Sequence, residues 1–248
     1  MERFNFSVCP HDTAKHVVEW FQFNTYLQRR LGCTIRFEPQ EDFLLERQNV
    51  LEGGFQIVYA NPFSALLFKE RLGFHPVAKV TGLFDETLLV APAGAGIPDR
   101  RPIRIASATD KLIVHTLGLS LLDQLALRRD ECEFVLVGNH MKAVHAVIKK
   151  EADLGFVFNE TWQGMAESTR AALSVIAEST DRVAFHCFMI APEWADRLES
   201  AQDTLVGMNT DPKGRRILDD LRFPALEPLT GDALEGLERL HEAYAVNF

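Results

Sequence analysis

Strand-like and helix-like stretches alternate along this chain, and few folds accommodate that order. Phe4-Asn5-Phe6-Ser7-Val8 alternates with period two and stops before Pro10, as a half-buried strand does. Val17, Trp20, Phe21, Leu27 and Leu31 then follow helical spacing; Asp12 or Thr13 supplies a cap and Gly32 ends the helix. Residues 34–37 read as a second strand, and Glu41 and Asp42 suit the positive end of a helix carrying Phe43, Val50 and Leu51. Residues 55–60 are a third strand, after which Asn61-Pro62 opens a helix that closes at Gly73. Such a succession implies a parallel sheet with helices on both faces.

Strands at residues 77–80 and 87–91 follow, and then Pro92-Ala93-Gly94-Ala95-Gly96-Ile97-Pro98, a composition that marks an exposed crossing. The rhythm resumes with a strand at 103–106, a long helix over 110–127 and a strand at 134–137. The next helix has Met141, Val144, His145 and Ile148 on one face, and strands at 154–158 and 173–177 come after it. A last strand, 183–190, leads into a helical tail in which Pro192 and Asp211-Pro212 mark helix starts. Leu234, Leu237, Leu240 and Tyr244 give the final helix its apolar stripe. We therefore expect two α/β lobes, residues 1–90 with 186–248 and residues 91–185, joined by a hinge and enclosing a cleft.

Charge and length exclude several classes. Lys and Arg number 26 against 35 Asp and Glu, a net charge of −9, which is the wrong sign for a nucleic-acid partner. The longest uncharged stretch, Gly53 to Phe68, is shorter than the ~20 residues of a spanning helix and is interrupted by Asn61-Pro62. The start, MERFNFSVCPHD, has no apolar run of the secretory type, so the expectation is periplasmic if a leader was removed and cytoplasmic if the chain is as written. Cys9, Cys33, Cys132 and Cys187 lie far apart, without CxxC or metal-ligand spacing, and read as free, mostly buried thiols.

Enzyme signatures fail in turn. Gly94-Ala95-Gly96 is followed by Ile97-Pro98 rather than by a helix, so it is no dinucleotide fingerprint, and there is no P-loop, HExxH or GxSxG. His11/His16 and His140/His145 are each five residues apart, about 140° around a helix, and neither pair converges on one metal. No cofactor and no metal are expected. What remains are strand-to-helix junctions, whose N–H groups and dipole suit an anion at the carboxyl ends of the strands. They are Tyr59-Ala60-Asn61-Pro62-Phe63-Ser64, Ser107-Ala108-Thr109-Asp110-Lys111, Gly138-Asn139-His140 and the strand end Asn159-Glu160-Thr161, with His11 in the turn after the first strand. Each also reads as an ordinary cap or a satisfied structural histidine; several in one chain point to a binding site.

In order and spacing the chain resembles the type II periplasmic binding proteins, specifically the phosphonate-binding (PhnD-like) family. The resemblance lies in the first strand ending at Pro10, the helix closing in Tyr26-Leu27-Gln28-Arg29-Arg30-Leu31-Gly32, and Leu51-Glu52-Gly53-Gly54-Phe55-Gln56-Ile57-Val58-Tyr59-Ala60-Asn61-Pro62-Phe63-Ser64. Val137-Gly138-Asn139-His140 is similar to the family's Gly-Ser-His turn, and Ala152-Asp153-Leu154-Gly155-Phe156-Val157 to its returning strand. The resemblance implies a two-lobed fold, each lobe a mixed or parallel sheet covered by helices, that captures a phosphonate- or phosphate-like oxyanion for an ABC transporter permease or a membrane sensor kinase. It implies contacts from Tyr59, Asn61, Phe63 and Ser64, from Thr109 and His140, and from His186 near the second crossing.

Two departures stand out, the turn of the second lobe and the start without a secretory-type apolar run, and the second points to an alternative. The family's Ser/Thr/Gly-rich turn reads Thr109-Asp110-Lys111 here, so a zwitterion carrying an amine would suit Asp110. Cys9-Pro10-His11-Asp12-Thr13 instead resembles the Cys-Pro-Asn-Asp-Thr turn of the menaquinone-biosynthesis enzymes of the MqnD type, which share this fold. That alternative implies a cytosolic enzyme with His140 as a general base.

Overall fold

Short helices launched directly from strand ends build most of the computed structural model, which describes residues 3–244. In chain order the elements begin β1 (Arg3–Val8), α1 (Pro10–Leu31), β2 (Thr34–Phe37), α2 (Phe43–Leu51), β3 (Ile57–Ala60), α3 (Pro62–Leu72) and β4 (His75–Val80). Next come β5 (Thr87–Pro92), β6 (Ile103–Ser107), α4 (Ile113–Gln124), β7 (Cys132–Leu136), α5 (His140–Ile148) and β8 (Leu154–Phe158). Short α6 (Asn159–Gly164) and α7 (Glu167–Arg170) lead to β9 (Leu173–Glu178) and β10 (Cys187–Ile190). A 3₁₀ segment, Pro192–Arg197, precedes α8 (Leu198–Gly207), α9 (Pro212–Asp220), β11 (Leu226–Pro228) and α10 (Glu235–Tyr244).

The elements form two units. Among the described residues, one runs to Leu83 and resumes over Phe185–Glu235; the other holds Phe84–Ala184 and the stretch from Gly236 to Tyr244. The sequence reading put 186–248 wholly with the first lobe, whereas α10 packs in the second unit: Gly236 lies against Val183, and Tyr244 against the second core.

The first unit's sheet has the order β11-β4-β10-β3-β1-β2. β1 is parallel to both β2 and β3, while β10 runs antiparallel between β3 and β4. The returning strand thus makes the sheet mixed, where alternation alone suggested parallel pairing. The tail is not wholly helical either, because β11 adds an antiparallel edge strand to β4, with Pro228 at its end. Trp20 is fully buried amid the rings of Phe6, Phe23, Tyr59, Phe188 and Phe223, and Phe23 stacks on Phe188 at 5.2 Å. Such pairs add ~0.5–1.5 kcal/mol each beyond the burial of their area. The stripe that α1 buries is Trp20, Phe23 and Leu27; Val17, beside a break in helical geometry at His16, and Phe21 stay half exposed.

The second sheet has the order β7-β6-β8-β5-β9, with β6 parallel to β7 and β8, and β5 antiparallel to β8 and β9. α5 covers it with Ala143, Val144, Ala146 and Val147, not with the expected Met141 and His145. The reason is close approach: Gly155 of β8 has Val147 where a Cβ would stand, so the small face of the helix wins. The long helix starts at Ile113 rather than at residue 110, because Thr109 Oγ1 takes the Lys111 N–H and Leu112 stays extended. No helix among the described residues is long and apolar enough to cross a membrane.

Candidate functional site

β1 and β3 are parallel neighbours, so α1 and α3 begin side by side at one edge of the first sheet. Cys9 ties the two starts together, its N–H donating to Tyr59 O at 2.8 Å. Asn61 caps α3 by accepting from Ser64 N at 3.0 Å, and its Nδ2 donates to Cys9 Sγ at 3.7 Å. Cys187 pairs opposite Ala60, which brings the preceding His186 to the same edge. There its Nδ1 lies 2.8 Å from Asp12 Oδ2, and its ring centre 5.6 Å from that of Tyr59. Burial raises the Asp12 carboxyl, but the charge and hydrogen bond of His186, together with His11 and Lys15, outweigh it and hold the group below its usual range. The Cys9 thiol is pushed up to about 12, chiefly by burial, with His186 opposing.

α2 contributes two adjacent buried ionisable residues, Glu46 and Arg47. Ser7 Oγ donates to Glu46 Oε1 at 3.3 Å, and Arg47 Nε donates to Ser64 Oγ at 2.9 Å. The guanidinium also lies over the Phe63 ring, 4.8 Å from its centre, and over that of Phe43 at 5.0 Å. Burial raises Glu46 to about 8, with Arg47 opposing, and lowers Arg47 to about 10. A cation is therefore lodged against the first turn of α3. Sequence reading missed both residues, since a Glu-Arg pair inside a short helix normally marks a solvated face.

Of the first-unit candidates, Tyr59, Asn61, Phe63 and Ser64 are buried, and Ser64 is wholly so. His186 is half-buried at the same edge, whereas His11 is exposed, with Lys15 Nζ 2.8 Å from its Nε2. The sequence reads Cys9 as a buried free thiol and Asp12 as a helix cap, not as site residues. With His186 they bring a thiol sulfur, a carboxylate oxygen and an imidazole nitrogen all within 4.8 Å of one another. The residue pairs at helical spacing do not gather in this way; the convergent set spans 177 positions, from Cys9 to His186.

In the second unit the parallel strands β6, β7 and β8 bring the starts of α4, α5 and α6 to one sheet edge. Thr109, Asp110 and Lys111 form the partly exposed loop before α4. Asn139 caps α5, accepting from Lys142 N at 2.8 Å, and His140 follows it with its ring 5.5 Å from that of Phe158. Asn159 Nδ2 donates to Phe84 O at 3.0 Å, and its Oδ1 accepts from Glu86 N at 3.2 Å, so its side chain ties down the entry to β5. Glu86 accepts in turn from Ser179 Oγ and, at 2.8 Å, from Arg182 N. His115, unremarked in the sequence, is buried in α4 with Nδ1 3.1 Å from Ser107 Oγ. Burial lowers it to about 4, against the opposing pull of Asp110.

Comparison with known proteins starts from this geometry. The fold is that of XAC2383 from Xanthomonas citri bound to ATP, at TM-score 0.79 and 16% identity over 99% of this chain and 98% of that one. PhnD1 from Prochlorococcus marinus (MIT 9301), in complex with methylphosphonate, superposes at TM-score 0.77 with 10% identity over 99% of each chain. The periplasmic aliphatic sulphonate binding protein SsuA from Escherichia coli matches at TM-score 0.67 and 12% identity, over 100% of this chain and 94% of that one. No curated protein sequence matches. A sequence model described as "ABC transporter, phosphonate, periplasmic substrate-binding protein" matches residues 6–234. The chain, a two-sheet α/β protein of the type II periplasmic-binding class, therefore belongs to the family of phosphonate-type substrate-binding proteins of ABC transporters.

Proposed function

We propose that this protein captures a small phosphonate- or phosphate-like oxyanion and delivers it to the permease of an ABC transporter in the periplasm. One observation supports the oxyanion most: two helices start from adjacent parallel strands, and Arg47 is lodged against the first turn of α3 through Ser64. Helix starts carry partial positive charge, and a guanidinium adds to it at the same edge. In the second unit, Thr109, Lys111 and His140 are the proposed contacts. Asp110 beside them favours a ligand that also carries an amine.

A thermal-shift panel of methylphosphonate, an aminoalkylphosphonate, phosphate, phosphite, an alkylsulfonate and sulfate tests the reading. A ligand that binds only the native state stabilises it by RT ln(1 + [L]/Kd), ~2.7 kcal/mol at a hundredfold excess over Kd. Stabilisation by the aminoalkylphosphonate above the rest assigns Asp110 to the amine. No shift with any member overturns the oxyanion reading. Co-purification of the protein with a membrane permease, rather than with a sensor kinase, tests the delivery partner, and cell fractionation tests the compartment.

A further inference from the structure

The oxyanion contacts proposed above draw on neither Cys9 nor Asp12, which cluster with His186 at the end of β1. We propose that Cys9, Asp12 and His186 bind a divalent transition metal of the zinc type, as thiolate, carboxylate and imidazole ligands, with water in a fourth position.

The donor set sets the metal class. Sulfur and imidazole nitrogen together favour zinc, cobalt or copper over calcium and magnesium, which take oxygen ligands. Three ligands with one open position is the arrangement of a tetrahedral zinc that keeps a water. Ligand bonds of ~2.0–2.3 Å place the ligand atoms of a tetrahedral zinc about 3.3–3.7 Å apart. Here all three atoms lie within 4.8 Å of one another, so the sulfur closes by no more than about 1–1.5 Å and the Asp12–His186 contact of 2.8 Å opens by about half an ångström.

The scaffold holds the ligands apart from one another in sequence and together in space. Cys9 is fixed by its N–H bond to Tyr59 O, Asp12 sits in the first turn of α1, and His186 is positioned by the Cys187–Ala60 pairing. Asn61, locked as the cap of α3, donates to Cys9 Sγ, an outer-shell bond of the kind that supports a metal-bound thiolate. Charge also balances. Binding releases the thiol proton and the imidazolium proton of His186 to solvent, and the resulting thiolate and the carboxylate cancel the ion's two positive charges, so a mostly buried site stays neutral.

The experiment is a titration of reduced protein with Co²⁺, then Zn²⁺, with no solute present, so its outcome is independent of the oxyanion reading. The expected result is one equivalent of Co²⁺ giving a thiolate-to-cobalt charge-transfer band with intense four-coordinate d–d bands, both displaced by Zn²⁺. Cys9→Ser should abolish the charge-transfer band and weaken Zn²⁺ by more than the ~10–100-fold typical of losing an outer-shell partner. Cys33→Ser and Cys132→Ser should leave both unchanged. Circular dichroism checks that Cys9→Ser folds; if it does not, His186→Gln decides, because it keeps the thiol and should still weaken Zn²⁺ to the same degree. A missing charge-transfer band in the unmodified protein, a band that persists in Cys9→Ser, or unaltered Zn²⁺ affinity in folded His186→Gln overturns the proposal.

Discussion

Arg47 donates through Nε to Ser64 Oγ at 2.9 Å, joining α2 to the first turn of α3 in a fully buried contact. The hydroxyl that sequence reading offered as a ligand donor is thus also the acceptor for a buried cation. Its two roles separate by measurement.

Ser64→Ala removes that acceptor and strands a buried, charged N–H, which costs ~1–3 kcal/mol. Urea denaturation should therefore show a lower midpoint with an unchanged slope. An unchanged midpoint would mean that Arg47 finds another acceptor and that the contact contributes nothing net. If Ser64 also donates to the ligand, affinity falls as well, by roughly 10- to 150-fold for a hydrogen bond to a charged group.

Glu46 predicts a pH dependence of definite sign. Burial raises it to about 8 in the folded protein, and Arg47, Ser7 and His186 only partly oppose that, while Asp12 adds to it. Above pH ~4.5 the unfolded chain gives up this proton and the folded one keeps it, so the group's contribution to stability falls as pH rises towards 8. Glu46→Gln, which cannot ionise, should gain on the unmodified protein in melting temperature across that window and hold a constant lead above it. A difference that is flat from pH 4.5 to 8 would show that Glu46 is already ionised in the fold.

These residues also show what the sequence could and could not disclose. Local signals carried the elements: Asp42 accepts from Leu44 N and Leu45 N, Asn61 from Ser64 N, and Asp211 from Lys213 N and Gly214 N, each where an acidic residue or a cap before proline marks a helix start in the sequence. Gly32 and Gly73 end α1 and α3 at φ 64° and 71°, as left-handed caps. The antiparallel insertion of β10 between β3 and β4 was not legible, because side-chain pattern tells which faces of a strand are buried and not which neighbours it pairs with or in which direction. The same insertion sets His186 against Asp12, so that pairing was hidden too. Arg47 was hidden for another reason: a charge becomes buried through its tertiary partner, here Ser64, which lies on a different helix.

His115 titrates in the opposite sense to Glu46. Burial holds its imidazole at about 4, against an ordinary 6.5, with Asp110 opposing and Arg129 assisting, while Phe134 and Phe156 pack on the ring. Below pH 6.5 the unfolded chain takes up a proton that the folded one refuses, so stability is lost as pH falls towards 4, by roughly 3 kcal/mol in all. His115→Gln should flatten that part of the acid limb, and NMR titration should find the imidazole neutral at pH 5. A resonance that titrates near 6.5 would mean that solvent reaches the ring.

Gly118 tests how tightly the second core is packed. It lies in the middle of α4, where glycine is ordinarily a poor choice and alanine is better by ~1 kcal/mol. A Cβ at this position, however, would stand 2.6 Å from the Phe156 ring, which is fully buried and packed against His115 and Phe134. Overpacking of that kind costs ~1–3 kcal/mol and should exceed the helix-propensity gain, so Gly118→Ala is expected to lower the melting temperature. Phe156→Leu makes room for the methyl group, and the double variant should then lose less than the sum of the two single changes. Strict additivity, or a Gly118→Ala protein more stable than the parent, would show that the ring moves aside and that helix propensity alone governs the position.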